Sequence, residues 1–376
     1  MTFKDLNLTK SLLDAIQKAG YQSPTKIQQQ SIPHILAGKD LFGCAQTGTG
    51  KTAAFALPIL QKIMEGQKTG IRHGIKALVI APTRELANQI DESFRTYGTG
   101  SGLRTTCVYG GISQQLQVSK LKKGTDILIA TPGRLLDLIQ QRFIQLGTIR
   151  YLVLDEADRM LDMGFINDIK KIIAMLPADR QSLFFAATLT PEVKKLSGTI
   201  LSDPALVFVT PEKEISGLIR QSVYYVRKED KRDLLKHVMK DTGMGNALVF
   251  TRTKHGADRV ARDLNRSGIT AEAIHGDKSQ NKREKSLMSF RRGVIRVLVA
   301  TDVVSRGIDI DSLSNVINYE IPEDPATYVH RIGRTGRAGV KGTALSFCSN
   351  EEKRNLKDIH KLIHNEMNVV RTHPYS

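Results

Sequence analysis

Apolar residues follow two rhythms along this chain. Short runs, apolar at nearly every position and rich in β-branched residues, alternate with longer stretches whose apolar positions recur every three or four residues. In the first half the short runs fall at 40–45, 76–82, 103–109, 126–130, 151–155 and 182–188. Between them lie amphipathic stretches such as 83–98 (TRELANQIDESFRTYG) and 164–177 (GFINDIKKIIAMLP). Uninterrupted apolar runs suit strands covered on both faces, and strands separated by helical patterns indicate βαβ units. The rhythm pauses over 202–219, where Pro204, Pro211 and Gly217 punctuate a charged stretch. It restarts with runs at 220–226, 246–251, 270–275, 295–302, 315–320 and 343–348. The expected fold class is therefore α/β, with two tandem domains, each a mostly parallel sheet flanked by helices. The expected bounds are 1–208 and 220–376, joined by a short linker at 209–219. The tail simply ends after a modest basic stretch, Lys353 to Lys361, with no distinct nucleic-acid-binding module.

Length agrees with that division, since 376 residues exceed one ordinary core. Charge changes the picture more. Lys and Arg number 55 against 38 Asp and Glu, a formal net charge of +17. An excess of this size points to a polyanion, nucleic acid before a membrane surface. No run approaches the roughly 20 apolar residues that span a bilayer, and the first ten residues lack the apolar core of a signal peptide. Cys44, Cys107 and Cys348 lie far apart with no paired spacing for zinc or redox chemistry, which suits a reducing, cytoplasmic setting.

The first strand runs straight into AQTGTGKTAAF. Gly48 and Gly50 allow the backbone angles that let amide groups converge on phosphate oxygens. Lys51 supplies a point charge for the β- and γ-phosphates, and the Thr52 hydroxyl can ligate magnesium. Ala53 to Ile63 begin a helix whose N-terminus adds positive potential at the same spot. Ala45 stands where the generic phosphate-loop pattern has its first glycine. Further on, YLVLDEADRM crowds Asp155, Glu156 and Asp158 at the end of a buried strand. Crowded carboxylates repel, and downstream of a phosphate loop this is where a nucleotide's magnesium is held. We expect Asp155 to hold the metal through water, and Glu156 to orient and deprotonate the attacking water.

AQTGTGKT followed by DEAD resembles the DEAD-box RNA helicases of superfamily 2, and the resemblance runs from Phe3 to about Phe347. The opening 1–33 and GCAQTGTGKTAAFALPIL look like the bacterial RhlE branch of that family. The resemblance implies two RecA-like domains, ATP and magnesium as cofactors, and RNA as the partner. Residue by residue it places Thr47, Gly48, Gly50, Lys51 and Thr52 on the nucleotide phosphates. GYQSPTKIQ looks like the Q motif, with Gln28 reading the adenine edge and Phe3, seventeen residues before Gly20, stacking on the ring. Pro82, Thr83, Arg84, Gly110, Gly111, Thr131, Gly133 and Arg134 resemble the first domain's RNA contacts. In the second domain LVFTRT, with Phe250, resembles motif IV. Gly276, Gln280, Arg283 and Thr301 resemble RNA contacts, and Asp309 a ribose contact. Arg334 and Arg337 resemble arginine fingers on the γ-phosphate, with Lys51, Asp155 and Glu156 completing the catalytic set. A helical spacing of three is expected to place Arg331, Arg334 and Arg337 near one stripe, and HRIGRTGRAG holds no acidic partner for them.

One motif departs from the family. Motif III usually reads Ser-Ala-Thr, and here it reads Ala186-Ala187-Thr188. Asp158, Ala186, Thr188 and His330 are the expected coupling residues, and Ala186 has no hydroxyl to contribute. Two functions follow. The first is an RNA-stimulated ATPase and helicase that locally unwinds short duplexes as its domains close, contacting RNA backbone with little regard to sequence. The alternative is an ATP-gated RNA clamp or chaperone whose hydrolysis couples poorly to unwinding. A third class, a DNA-directed motor, is opposed by the Q motif and by DEAD. Ribonucleoprotein or RNA-decay complexes are the expected setting.

Overall fold

A computed structural model describes residues 1–46, 48–68, 74–209, 219–240, 244–302, 313–336, 341–363 and 367–375. The chain divides into two compact units, Met1–Thr210 and Pro211–Ser376. Nearly all of the expected linker lies outside the described residues, as do Thr47, Asp309 and Arg337.

Unit 1 holds one seven-stranded sheet. Its strands are β1 (Leu41–Cys44), β2 (Ala77–Ile80), β3 (Thr105–Val108), β4 (Ile127–Ala130), β5 (Tyr151–Leu154), β6 (Gln181–Ala186) and β7 (Ala205–Phe208). They lie in the order β3-β4-β2-β5-β6-β1-β7, and every described pairing is parallel. The period-2 geometry of a strand explains the apolar runs. On β2, Ala77 and Val79 enter the hydrophobic cluster on one face, while Leu78 and Ile80 enter the cluster on the other.

Unit 2 repeats the plan with β8 (Ile219–Tyr225), β9 (Ala247–Phe250), β10 (Ala271–Ile274), β11 (Val297–Ala300), β12 (Asn315–Asn318), β13 (Gly342–Cys348) and β14 (Asn368–Val370). Their order is β10-β11-β9-β12-β13-β8-β14, again parallel throughout. Alternation recurs on β9, where Ala247 and Val249 face one cluster and Leu248 and Phe250 the other. Because all strands in a unit run one way, their carboxyl ends share an edge, which is where open α/β sheets bind ligands.

Two strands differ from expectation. β7 lies inside the stretch read as a pause, and β14 in the tail read as simply ending. Both are edge strands with largely exposed side chains, so neither carries an uninterrupted apolar run.

Local capping sets the functional loops. The helix Arg84–Tyr97 is capped by Thr83, whose Oγ1 accepts the Leu86 amide at 3.3 Å. The helix Lys26–Leu36 begins with a capping box, in which the Gln28 side chain accepts the Thr25 amide at 3.0 Å. All three cysteines are free.

Candidate active site and nucleic-acid face

The phosphate loop leaves β1 and enters the helix Lys51–Lys68. Gly48 and Gly50 both adopt positive φ, +80° and +89°, so their backbone turns as the loop pattern requires. The buried Lys51 ammonium donates to the Ala45 carbonyl at 2.8 Å, curling back over the loop. Gln28 is fully buried, and its Nε2 donates to the Gly50 carbonyl at 3.1 Å. A Cβ at Gly50 would fall on that amide nitrogen. Gln28 thus ties its helix cap to the phosphate loop. Phe3 belongs to the core cluster and meets Tyr21 edge-on, with ring centroids 6.5 Å apart.

The three crowded carboxylates separate into three environments. Asp155 is almost fully buried at the end of β5, and burial pushes its carboxyl up to about 6, against the pull of the Lys51 charge. Among the described residues it accepts one hydrogen bond, from the Glu156 amide at 3.0 Å. Glu156 sits in the left-handed region at φ 53°, a conformation that costs a non-glycine residue of order 1–3 kcal/mol and tends to persist at functional sites. Its carboxylate accepts from Arg159 at 2.7 Å, and both side chains are buried. Asp158 Oδ2 turns toward motif III, accepting the Ala187 amide at 3.0 Å, the Thr188 amide at 2.9 Å and the Thr188 hydroxyl at 2.9 Å. Ala186 itself is fully buried at the end of β6, in register with Cys44 of β1. β6 lies between β1 and β5, so motif III stands between the phosphate loop and the acidic turn.

These donors suit magnesium nucleotide. A threonine hydroxyl and a carboxylate are hard oxygen ligands, and Mg²⁺ is usually held by one or two carboxylates plus substrate phosphates. No cluster of three or more His, Cys, Asp or Glu side chains placed to hold a metal occurs among the described residues.

The RNA candidates of unit 1 all follow strands. Pro82, Thr83 and Arg84 follow β2, Gly110 and Gly111 follow β3, and Thr131, Gly133 and Arg134 follow β4. The sheet order places these three strands side by side. Arg84 packs against the Gly110–Gly111 turn, where a Cβ on Gly111 (φ +83°) would overlap the guanidinium. Thr131 precedes the helix Pro132–Gln140, no atom lies within 4 Å of where a Gly133 Cβ would point, and Arg134 pairs with Asp137 at 3.3 Å.

In unit 2, Phe250 ends β9, Gly276 follows β10 and Thr301 follows β11, again on three adjacent strands. Gln280 and Arg283 open the helix Gln280–Arg291 and are buried; Gln280 donates to Glu284 at 3.0 Å. The expected arginine stripe is corrected. The helix Pro325–Ile332 ends before Arg334, which lies in the turn that follows, so helical spacing does not relate Arg331 to Arg334, and Arg337 lies outside the described residues. Arg331 also has the acidic partner that its own segment lacks. It makes a bidentate pair with Asp302 at 2.6 and 2.7 Å, donates to Asn318 Oδ1 at 3.1 Å and to the Glu320 carbonyl at 2.7 Å, and lies 5.0 Å from the Phe250 ring centroid. Arg331 is thus a structural pin, distinct from the expected fingers. Arg334 is buried and His330 half-buried. Sequence reasoning missed Arg159 and Asp302, although Arg159 stands three residues after Glu156, a spacing that places two side chains together.

Residues 25–196 match the DEAD/DEAH box helicase family, and residues 230–339 match the helicase conserved C-terminal domain. The ATP-dependent RNA helicase CshA of Limosilactobacillus reuteri is 44% identical over 364 residues, covering 96% of this chain and 72% of the relative. The CshA of Streptococcus pneumoniae serotype 4 is 45% identical over 367 residues, covering 98% of this chain and 69% of the relative. Among solved structures, S. cerevisiae Dbp5 bound to RNA and ADP BeF3 superposes with a TM-score of 0.86 at 31% identity, covering 98% of this chain and 95% of that one. No helix among the described residues is long and apolar enough to cross a membrane. With the phosphate loop, the Asp155–Asp158 turn and the paired helicase domains in order, the chain belongs to the DEAD-box helicases.

Proposed function

We propose that this chain is a cytoplasmic, ATP-dependent RNA helicase whose hydrolysis is stimulated by RNA and which opens short duplexes by closure of its two units. The observation that carries the reading is the Glu156 carboxylate, held in a strained turn beside the buried Asp155 and downstream of Lys51. In this reading Gln28 and Phe3 take the adenine, and Thr47, Gly48, Gly50 and Lys51 take the phosphates. Magnesium, held by Thr52 and through water by Asp155, would neutralise charge on the β- and γ-phosphates. Glu156 orients the attacking water and removes its proton, and Arg159 fixes the carboxylate that does so.

Closure supplies Arg334 and Arg337 to the γ-phosphate and Asp309 to the ribose. Nucleotide shifts the population toward the closed form through contacts made only there. The strand-end loops of unit 1 and those of unit 2 then bind one RNA strand by its backbone. The formal +17 and the scarcity of base readout predict sequence tolerance and strong salt dependence. Ribonucleoprotein or RNA-decay partners fit this activity.

The clamp reading rested on Ala186. Three hydrogen bonds from Ala187 and Thr188 onto Asp158 favour the helicase instead, because motif III is tied to the acidic turn without the missing hydroxyl. The test measures ATP hydrolysis and short-duplex unwinding in one preparation, with single-stranded RNA, with single-stranded DNA and with neither. Stimulation by RNA together with strand separation is expected. Equal stimulation by DNA would reassign the chain to a DNA motor, and hydrolysis without separation would restore the clamp.

A further inference from the structure

We infer that unit 2 carries an additional RNA-binding groove outside its motif loops, where a base of a single strand stacks on Tyr225 while Lys353, Lys357 and His360 take adjoining phosphates. The inference deepens the proposed function and rests on it. The groove is a cavity of about 440 Å³ lined by Tyr225, Lys353, Leu356, Lys357 and His360. Tyr225 is the last residue of β8, and 40% of it is exposed, whereas Val223, on the same side of the strand, is fully buried. An aromatic ring left open at a strand end, among cations, is the combination that single-stranded nucleic acid uses.

The helix Lys353–Ile363 supplies the charge. Lys353, Lys357 and His360 stand at i, i+4 and i+7, so they share one face, and the buried Leu356 forms the floor beneath them. Four residues of helix rise about 6 Å, comparable to the step between neighbouring phosphates in an extended strand.

Nearby carboxylates are otherwise engaged. Glu351 pairs with Lys228 at 3.3 Å, Asp358 with Lys361 at 2.9 Å, and Glu352 turns inward to Lys231. Lys353 Nζ lies 5.8 Å from the Tyr225 centroid, near the roughly 6 Å limit of a cation–π contact, so it holds the ring only weakly.

Position argues for RNA over an acidic peptide. Tyr225 is in register with Cys348 at the carboxyl edge of the sheet, the edge that carries Phe250, Gly276 and Thr301. From β9 to β8 there are three strand spacings, about 14 Å in all. A strand leaving the motif loops can therefore reach the groove within a few nucleotides.

The experiment uses the full chain with a non-hydrolysable ATP analogue and two labelled oligouridines, one of roughly six and one of roughly twenty nucleotides. Tyr225→Ala should weaken the long strand about ten-fold and leave the short one unchanged, while Tyr225→Phe binds both like the parent. Lys353→Gln with Lys357→Gln should lower the logarithmic salt slope for the long strand by about 1.4, two cations at roughly 0.7 each. Loss on both lengths, or on neither, overturns the groove and leaves the helicase reading standing. Polyglutamate that binds the parent and not the lysine double variant, without displacing the long RNA, reassigns the groove to an acidic peptide. A parent chain that fails to bind even the short strand overturns the proposed function itself. Unchanged melting of Tyr225→Ala separates a lost contact from a damaged fold.

Discussion

Unit 1 and unit 2 each bury a lysine close to a carboxylate. In unit 2, Lys231 donates to the Tyr319 and Phe347 carbonyls at 2.9 Å each and pairs with Glu352. Glu352 also accepts from the Ser349 amide and hydroxyl, the Ile321 amide and Arg252, at 2.9 to 3.3 Å. In unit 1, Lys51 takes one loop carbonyl and Asp155 accepts one amide among the described residues. One pair is saturated by the protein, whereas the other keeps lone pairs in reserve although burial makes that expensive. The saturated pair holds β8, β12 and β13 together through the segments around them. In the proposed function the second pair serves the nucleotide and its metal, and burial pushes its carboxyl up to about 6.

Substitution should separate the two kinds of charge. The largest effect is expected for Glu156→Gln, with single-turnover hydrolysis falling by roughly 10²–10⁴-fold while unfolding is unchanged, as for loss of a general base. A drop smaller than ten-fold would remove Glu156 from that role. Glu352→Ala should act on stability instead, costing about 3–5 kcal/mol because Lys231 is left buried and unpaired. Urea unfolding measures that cost, and a loss below 1 kcal/mol would erase the contrast between the units.

Asp155→Asn should run the other way. Its carboxyl stands near 6 in the folded chain against a reference of 3.8, so the folded state holds the proton more tightly than the unfolded state. The Asp155 contribution to the parent's stability therefore falls as pH rises from about 4 to about 6 and is level above. The asparagine variant should gain up to about 3 kcal/mol above pH 6, from roughly 2.2 units at 1.36 kcal/mol each, and nothing below pH 4. Denaturation midpoints at pH 4 and pH 7.5 test the sign. The smallest effect is expected for Ala186→Ser. Asp158 already receives three donors from Ala187 and Thr188, so duplexes unwound per ATP hydrolysed should change less than two-fold, below the roughly 0.5–1.5 kcal/mol of one net hydrogen bond.

What could be read in the sequence follows from what is local. Lys51, Asp155 and Glu156 stand in short motifs that follow strands, and the ten central strands, together with the better-buried edges β3 and β10, announce themselves by their apolar runs. β7 and β14 did not, since an edge strand buries little and its pattern resembles a loop. On β7 only Val207 is fully buried, and both Leu206 and Phe208 are exposed. Partnerships across the chain were likewise hidden. The acid for Arg331 comes from Asp302, 29 residues away, and reading HRIGRTGRAG alone mistook a pinned arginine for one of a helical row. Gln28 lies between these cases. Its capping box is visible as Thr25 followed three residues later by Gln28, but the bond to Gly50 belongs to the fold.

The two edge strands also bear on how the polypeptide is made. In each unit the last strand lies beside the first, β7 against β1 and β14 against β8. Synthesis runs from the N-terminus, so neither sheet can seal the flank of its opening strand until its final segment has emerged. The flank of β1 waits for Ala205–Phe208, about 160 residues after Cys44, and that of β8 waits for Asn368–Val370. Until then each nascent sheet exposes a row of unpaired backbone groups, the template on which strands of neighbouring chains add. A premature stop just before residue 205 or residue 368 would therefore make an aggregation-prone product out of an otherwise nearly complete sheet.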